Sequence, residues 1–289
     1  MPAHRSYLFV PGNHARRVEK ALQAGADAVI LDLEDAVALA EKSAAREAVV
    51  EALGRPRACR AYVRVNAVDT DFCFDDLMAV SGAPLEGVVL PKVESAADLR
   101  MVDWVLAGRE RALGRPVGGI DLLPLVETAR GVTALREIAT AGSRARRLTF
   151  GAGDLTRELG LEWTAEEDEL LAVRSELVLA SRLGELEPPL DTVCIQVREP
   201  ERFRQAALRG RQMGCQGKLC IHPDQVRLAN EIFTPSPEEV AWSRRVVEAF
   251  EEAESRKVAS IQVDGQFVDY PIMERARRVL ELARSIDEG

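Results

Sequence analysis

Short runs of aliphatic and β-branched residues alternate along the chain with amphipathic stretches rich in Ala, Leu, Glu and Arg, at intervals of roughly thirty residues, the rhythm of repeated βα units. The runs predict strands at Tyr7–Val10, Ala28–Leu33, Ala61–Val65, Gly87–Leu90, Asp121–Val126, Leu148–Phe150, Thr192–Val197 and Lys218–Ile221. Several, such as Ala28-Val29-Ile30-Leu31 and Gly87-Val88-Val89-Leu90, are apolar throughout, as parallel strands covered on both faces must be. Helices are expected between them, among others at Ala15–Ala24, Glu41–Leu53, Ser95–Ala107 and Pro200–Met213. Eight such units favour a closed (β/α)8 (TIM) barrel, an α/β fold, over an open doubly wound sheet. The open sheet would also call for a Gly-x-Gly-x-x-Gly turn after the first strand, where this chain has Pro11-Gly12-Asn13-His14.

After Pro235 and Pro237 the rhythm changes. A helix (Glu238–Glu254), an alternating segment (Ala259–Tyr270) that suggests a hairpin, and a last helix (Pro271–Ile286) exceed what eight units need. The division expected is a catalytic barrel over residues 1–234 and a C-terminal helix–hairpin–helix extension over 235–289 that packs on a neighbouring subunit of a homo-oligomer, a trimer or hexamer.

Composition narrows the chemistry. With 289 residues and 47% hydrophobic positions there is material for one large core. A net charge of −9 argues against a surface that grips nucleic acid, although a few arginines in a cleft can still hold an anionic substrate. No apolar run approaches the roughly 20 residues that span a bilayer, and the start of the chain lacks a signal-peptide pattern, so a soluble, cytoplasmic protein is expected. Five cysteines without Cys-x-x-Cys spacing and three scattered histidines argue against disulfides and zinc. Any metal should therefore be held by oxygen.

In a barrel the active site lies at the C-terminal strand ends. Polar residues end one apolar run after another: Asp32-Leu33-Glu34-Asp35, Arg64-Val65-Asn66, Lys92-Val93-Glu94, Glu127-Thr128, Gly151-Ala152-Gly153-Asp154 and His222-Pro223-Asp224. Glu127 and Asp154, read as standing at equal depth on neighbouring strands, suit a hard divalent cation. Mg²⁺ fits best, with Mn²⁺ as the alternative, because it takes one or two carboxylates and completes its shell with water and substrate oxygens. Arg64, late in its strand, presents a planar fork suited to a carboxylate or an enolate oxygen; the competing role is closure of a barrel floor. Lys92 and Lys218 raise a Schiff-base reading, against which Glu94 is expected to pair with Lys92. His222 before Pro223 reads more readily as a turn cap than as a base. Arg16 and Arg17, opening the first helix, suit a phosphate as well as they suit solvent.

Taken together, Arg5-Ser6-Tyr7-Leu8-Phe9-Val10-Pro11-Gly12-Asn13, Leu31-Asp32-Leu33-Glu34-Asp35-Ala36-Val37, Val63-Arg64-Val65-Asn66, Leu90-Pro91-Lys92-Val93-Glu94, Glu127-Thr128, Gly151-Ala152-Gly153-Asp154-Leu155 and Ile221-His222-Pro223 make a nearly end-to-end pattern. It resembles the citrate lyase β-subunit-like family of the HpcH/HpaI aldolase superfamily, related to malyl-CoA and citramalyl-CoA lyases. The resemblance implies a Mg²⁺-dependent barrel that cleaves a 3-hydroxyacyl thioester, on CoA or an acyl carrier protein, into an acetyl-type thioester and a 2-oxo acid. It implies Glu127 and Asp154 as metal ligands and Arg64 over the reacting oxygens. Glu34, Asp35, Lys92 and Gly153 are implied around the substrate, Arg16 and Arg17 near CoA, and Asp269, rather than Asp264, as an acid or base reaching a neighbouring subunit's site. One departure is visible: the family usually has an acidic residue where this chain has Gly153.

Overall fold

In the computed structural model, which describes residues 3–287, eight parallel strands close into a barrel in sequential order. They are β1 (Ser6–Pro11), β2 (Ala28–Asp32), β3 (Arg60–Arg64), β4 (Gly87–Leu90), β5 (Asp121–Val126), β6 (Thr149–Phe150), β7 (Leu190–Asp191) and β8 (Gly217–Cys220). Closure is made by β1 against β8, with Ser6 opposite Lys218. β2 and β4 are buried at every position, because the lumen covers one face and the helix layer the other. Tyr7, Ile30, Tyr62, Val89, Leu123 and Leu219 fill the interior. The chain therefore has a packed core below an open mouth, the layout of a (β/α)8 barrel.

One strand differs from expectation. β7 is Leu190–Asp191, and the alternating Thr192–Val197 run continues as a rim loop. Its polar groups are engaged outside any ladder: Thr192 Oγ1 accepts Ala152 N–H at 2.9 Å and Cys194 O accepts Gln225 Nε2 at 2.8 Å, while Ile195 and Val197 point to solvent. The alternation of apolar residues there is not a burial pattern.

The arginine that closes the barrel floor is Arg147. Its Nη1 donates to Asp121 Oδ2 and its Nη2 to Glu187 Oε2, each at 2.7 Å, and its Nη2 lies 3.1 Å from His4 Nε2. Tyr62 OH donates to Asp121 at 2.8 Å. Burial, then the charge of Arg147, pushes the His4 pKa down to about 2, so this histidine is a neutral part of the floor.

Ala3 and residues 231–287 belong to a second compact unit. The Pro237–Ser255 helix starts at a capping box between Ser236 and Glu239, and β9 (Ile261–Val263) pairs antiparallel with β10 (Gln266–Val268). Asp264 and Gly265 both have positive φ, 48° and 79°, the conformation that a two-residue hairpin turn needs. The Tyr270–Asp287 helix completes the unit, and Val246, Phe250, Val263, Val268, Met273 and Ala276 form its core. Among the described residues no helix is long and apolar enough to cross a membrane.

Candidate active site

A cavity of about 440 Å³ opens at the C-terminal mouth of the barrel, and Arg17, Asp32, Asp35, Arg64, Glu127, Gly153 and Asp154 are among the residues that line it. The strand ends dictate this gathering. Asp32 ends β2 and Arg64 ends β3, and the two are paired in register. Glu127 follows Val126, the residue of β5 paired with Phe150 of β6.

Arg64 is fixed from three sides. Its Nε donates to Asp32 Oδ1 at 2.7 Å, its Nη2 to Asp32 Oδ2 at 2.6 Å, and its Nη1 lies 3.0 Å from Glu34 Oε2. Its guanidinium carbon lies 5.0 Å from the centroid of the Phe9 ring. Asp32 is itself oriented by the N–H groups of Glu34 and Ala36, at 2.9 and 3.2 Å. Two carboxylates, an aromatic face and the local backbone thus set the plane of the fork before any substrate arrives.

Glu127 and Asp154 are brought together, but not at equal depth. Gly151 is the residue level with Glu127; Asp154 lies in the first turn of the Ala152–Leu159 helix. The first turn of that helix brings the second carboxylate to the same cavity, within electrostatic reach of the first. Glu127 is buried, and burial raises its pKa to about 8; Arg64 opposes the rise, while Glu34 and Asp154 add to it. Its Oε1 accepts Lys92 N–H at 3.1 Å. A Cβ on Gly151 would fall 2.3 Å from Glu127 Oε2, so only glycine leaves that oxygen its place. Burial and the neighbouring carboxylates favour the neutral form of Glu127 despite Arg64, and a bound cation would offset that cost. Among the described residues no cluster of three or more His, Cys, Asp or Glu is arranged to hold a metal. Two carboxylates beside an open cavity fit Mg²⁺, whose remaining positions go to water and substrate.

The other expected residues divide. Asp35 lines the cavity, whereas Glu34 and Lys92 stand behind Arg64 as its support. The Lys92 ammonium pairs with Glu34 and lies 3.5 Å from Asp35, not with Glu94, which instead faces Arg130 at 3.6 Å. The reason is backbone direction: Lys92 has φ of +51°, so strand alternation ends there and no longer dictates where side chains point. Burial works to lower the Lys92 pKa, but its bond to Glu34 and the nearby acids raise it overall. Lys218 is fully buried with its Nζ 2.5 Å from Asp191, on the side of the strand that meets Phe203 of the Pro200–Met213 helix. Neither lysine is a free amine facing the cavity. Arg17 reaches the cavity lining and Arg16 does not. His222 Nδ1 accepts Asp224 N–H at 3.3 Å, which makes it the turn cap. Asp269 lies in the second unit, where its Oδ1 accepts Ile272 N–H at 3.3 Å.

Sequence reasoning passed over two contributors. Asp32 reads in the sequence only as part of a polar strand end, because its place opposite Arg64 is set by the pairing of β2 with β3. Phe9, which looks like an ordinary core residue in an apolar run, has no signal in the sequence for its place under the arginine.

Carboxylates and an arginine gathered at the C-terminal mouth of a closed parallel barrel are the arrangement of a (β/α)8-barrel enzyme. The family model for HpcH/HpaI aldolase/citrate lyase matches residues 5–223. Citrate lyase subunit beta of Haemophilus influenzae is 36% identical over 287 residues, 99% of this chain and 98% of that protein. The (3S)-malyl-CoA thioesterase of Cereibacter sphaeroides is 36% identical over 284 residues, 98% of this chain and 95% of that one. A solved structure of CitE from Mycobacterium tuberculosis with magnesium, acetoacetate and coenzyme A superposes with a TM-score of 0.79 at 33% identity, over 98% of both chains. This chain belongs to the HpcH/HpaI aldolase/citrate lyase family.

Proposed function

We propose that the protein is a Mg²⁺-dependent carbon–carbon lyase, which cleaves a citryl-, citramalyl- or malyl-type 3-hydroxyacyl thioester into an acetyl-type thioester and a 2-oxo acid. The observation that carries this reading is the pairing of Glu127 and Asp154 beside the fixed fork of Arg64. Glu127 and Asp154 would hold the metal, which when bound supplies Lewis-acid polarisation of the 2-oxo acid's oxygens. Arg64 hydrogen-bonds the oxygen on which negative charge grows as the carbon–carbon bond breaks, and Asp32 and Glu34 keep its fork from turning away. A base takes the carbinol proton, the electron pair of the broken bond forms the thioester enolate, and an acid returns a proton to the α-carbon. Asp269 of a neighbouring subunit is assigned to this proton traffic. Arg17 lines the cavity, which supports a role for it at a CoA phosphate, with Arg16 beside it in sequence.

The names of the relatives favour a thioester substrate, and the cavity, where Arg64, Glu127 and Asp154 stand among apolar residues such as Leu125 and Leu219, supports binding of a small oxo acid there. Assays of the purified protein with citramalyl-, malyl- and citryl-CoA, each with and without an acyl carrier protein and with Mg²⁺ or EDTA, test the reading. Turnover of a free CoA thioester that EDTA abolishes is the expected result. Activity only in the presence of the carrier would make the chain a subunit of a larger lyase. Borohydride trapping of a substrate adduct on Lys92 or Lys218 would replace the metal reading with an imine one.

A further inference from the structure

We propose that Thr192 is a positioning residue for the metal: its hydroxyl, on the rim loop after β7, fixes the first turn of the Ala152–Leu159 helix and with it the carboxylate of Asp154. The inference rests on the reading of Glu127 and Asp154 as metal ligands.

The helix that carries Asp154 lacks the usual start. An N-cap is ordinarily Ser, Thr, Asp or Asn, whose side-chain oxygen accepts an N–H group that the first turn leaves unpaired. Here the N-cap is Gly151, which has no side chain to offer. The Glu127 side chain requires this, because a Cβ at Gly151 would lie 2.3 Å from Glu127 Oε2 and 2.9 Å from Glu127 Cβ. Room for one metal ligand therefore removes the ordinary cap from the helix that carries the other. The acceptor comes instead from the next strand. Thr149 pairs with Leu190, and two residues further along that register Thr192 stands level with Gly151. Its Oγ1 accepts the N–H of Ala152, the first helical residue, at 2.9 Å. Asp154 lies two residues beyond this anchor.

Thr192 is itself held. Strand alternation sends Leu190 into the lumen core and Asp191 to the opposite face, where Asp191 accepts Lys218 Nζ at 2.5 Å and Arg174 Nε at 2.8 Å, all three side chains being fully buried. A Cβ on Gly210 of the Pro200–Met213 helix would lie 2.8 Å from Asp191 Oδ2, so the helix layer closes tightly over that carboxylate. With Asp191 pinned outward, Thr192 turns inward to the cavity wall. The buried ion cluster thus acts at the mouth through the hydroxyl it places. Thr192 and Ala152 are both fully buried, so an N–H that lost this acceptor would find no water in its place.

Titration calorimetry of the full chain with Mg²⁺ tests this, together with the electron paramagnetic resonance spectrum of bound Mn²⁺ as a measure of its coordination. Thr192→Val keeps the shape of the side chain and removes the acceptor, whereas Thr192→Ser keeps the acceptor. The expected Kd for Mg²⁺ is about tenfold higher in Thr192→Val and within about twofold of the wild type in Thr192→Ser. The Mn²⁺ spectrum should change in the first variant only, with circular dichroism unchanged in both. If Thr192→Val does not fold, Thr192→Ala removes the same acceptor with less bulk and carries the same expectation. Wild-type affinity in a folded variant without the acceptor, or a loss in Thr192→Ser as large as in Thr192→Val, would overturn the proposal. A wild type that binds neither ion would overturn the metal reading itself, and this inference with it.

Discussion

Arg64 and Asp32 meet edge to edge, Nε on one carboxylate oxygen and Nη2 on the other, at 2.7 and 2.6 Å. An arginine held in this way cannot swing to follow a substrate; it offers a preset direction to whatever charge develops in the cavity. Replacement by lysine keeps the charge and loses the fork. Arg64→Lys should lower kcat by about 10²–10³, roughly 3–4 kcal/mol of transition-state stabilisation, with Mg²⁺ affinity near that of the wild type. Steady-state kinetics and metal titration calorimetry together check this, and a variant that keeps full kcat would remove Arg64 from the reacting oxygens.

Glu127 links metal binding to protons. Its pKa in the folded chain is about 8, against an ordinary value of 4.5, because the buried carboxylate favours its neutral form. A raised folded pKa means that the metal-free protein binds the extra proton when folded, so this group's contribution to stability is full below about 4.5 and is lost as pH rises through about 8. Mg²⁺ needs the carboxylate. Calorimetry at neutral pH in buffers of different ionisation enthalpy should show close to one proton released per metal bound, and affinity should climb toward pH 8. Proton release near zero would mean that Glu127 is already ionised or is not a ligand.

Two glycines in one turn should respond in opposite ways. Gly151→Ala puts a methyl 2.3 Å from Glu127 Oε2, whereas the nearest atom to a Cβ on Gly153 is Trp163 Cζ3 at 4.0 Å. Gly151→Ala should fold and lose most of its metal affinity; Gly153→Ala should retain it. Comparable affinities for the two variants, measured by the same titration, would show that the Gly151 cradle does not shape the metal site.

The assignment of Asp269 is tested by complementation. Glu127→Ala and Asp269→Asn should each be inactive, and subunit exchange between them should restore roughly a quarter of the sites, those with an intact barrel and an intact neighbouring extension. A mixture with proven exchange that stays inactive would confine Asp269 to its own barrel or to no role.

The floor histidine predicts the acid limb of stability. His4 is depressed from 6.5 to about 2, so its contribution is full above pH 6.5 and is lost as pH falls toward 2. Within that window the unfolded chain takes up one proton that the folded chain refuses, a slope approaching 1.4 kcal/mol per pH unit. His4→Gln should be less stable at pH 8 and show a shallower loss between pH 6 and 4 in denaturant titrations. Parallel pH profiles for the two proteins would assign the acid limb to other groups.

The sequence by itself determined the architecture and most of the site's membership. Continuous apolar runs such as Ala28–Leu31 bury both faces wherever they are placed, and eight strand units with helices between close into a barrel. A polar residue at the end of such a run must then stand at the mouth, which made Arg64, Glu127 and Asp35 legible in one dimension. Tertiary structure decided what spacing does not encode. It set Asp154 a helical turn beyond its strand rather than level with Glu127, and it turned Lys92 onto Glu34 through a positive φ that its neighbours do not announce. It also sent Lys218 outward to Asp191 and chose Arg147, not Arg64, for the floor. For Lys218 and Arg147 the physical reason is shared. Which face a strand turns to the lumen, and which carboxylate lies within reach of a cation, depend on register around a closed sheet, and register is fixed only when the eighth strand meets the first.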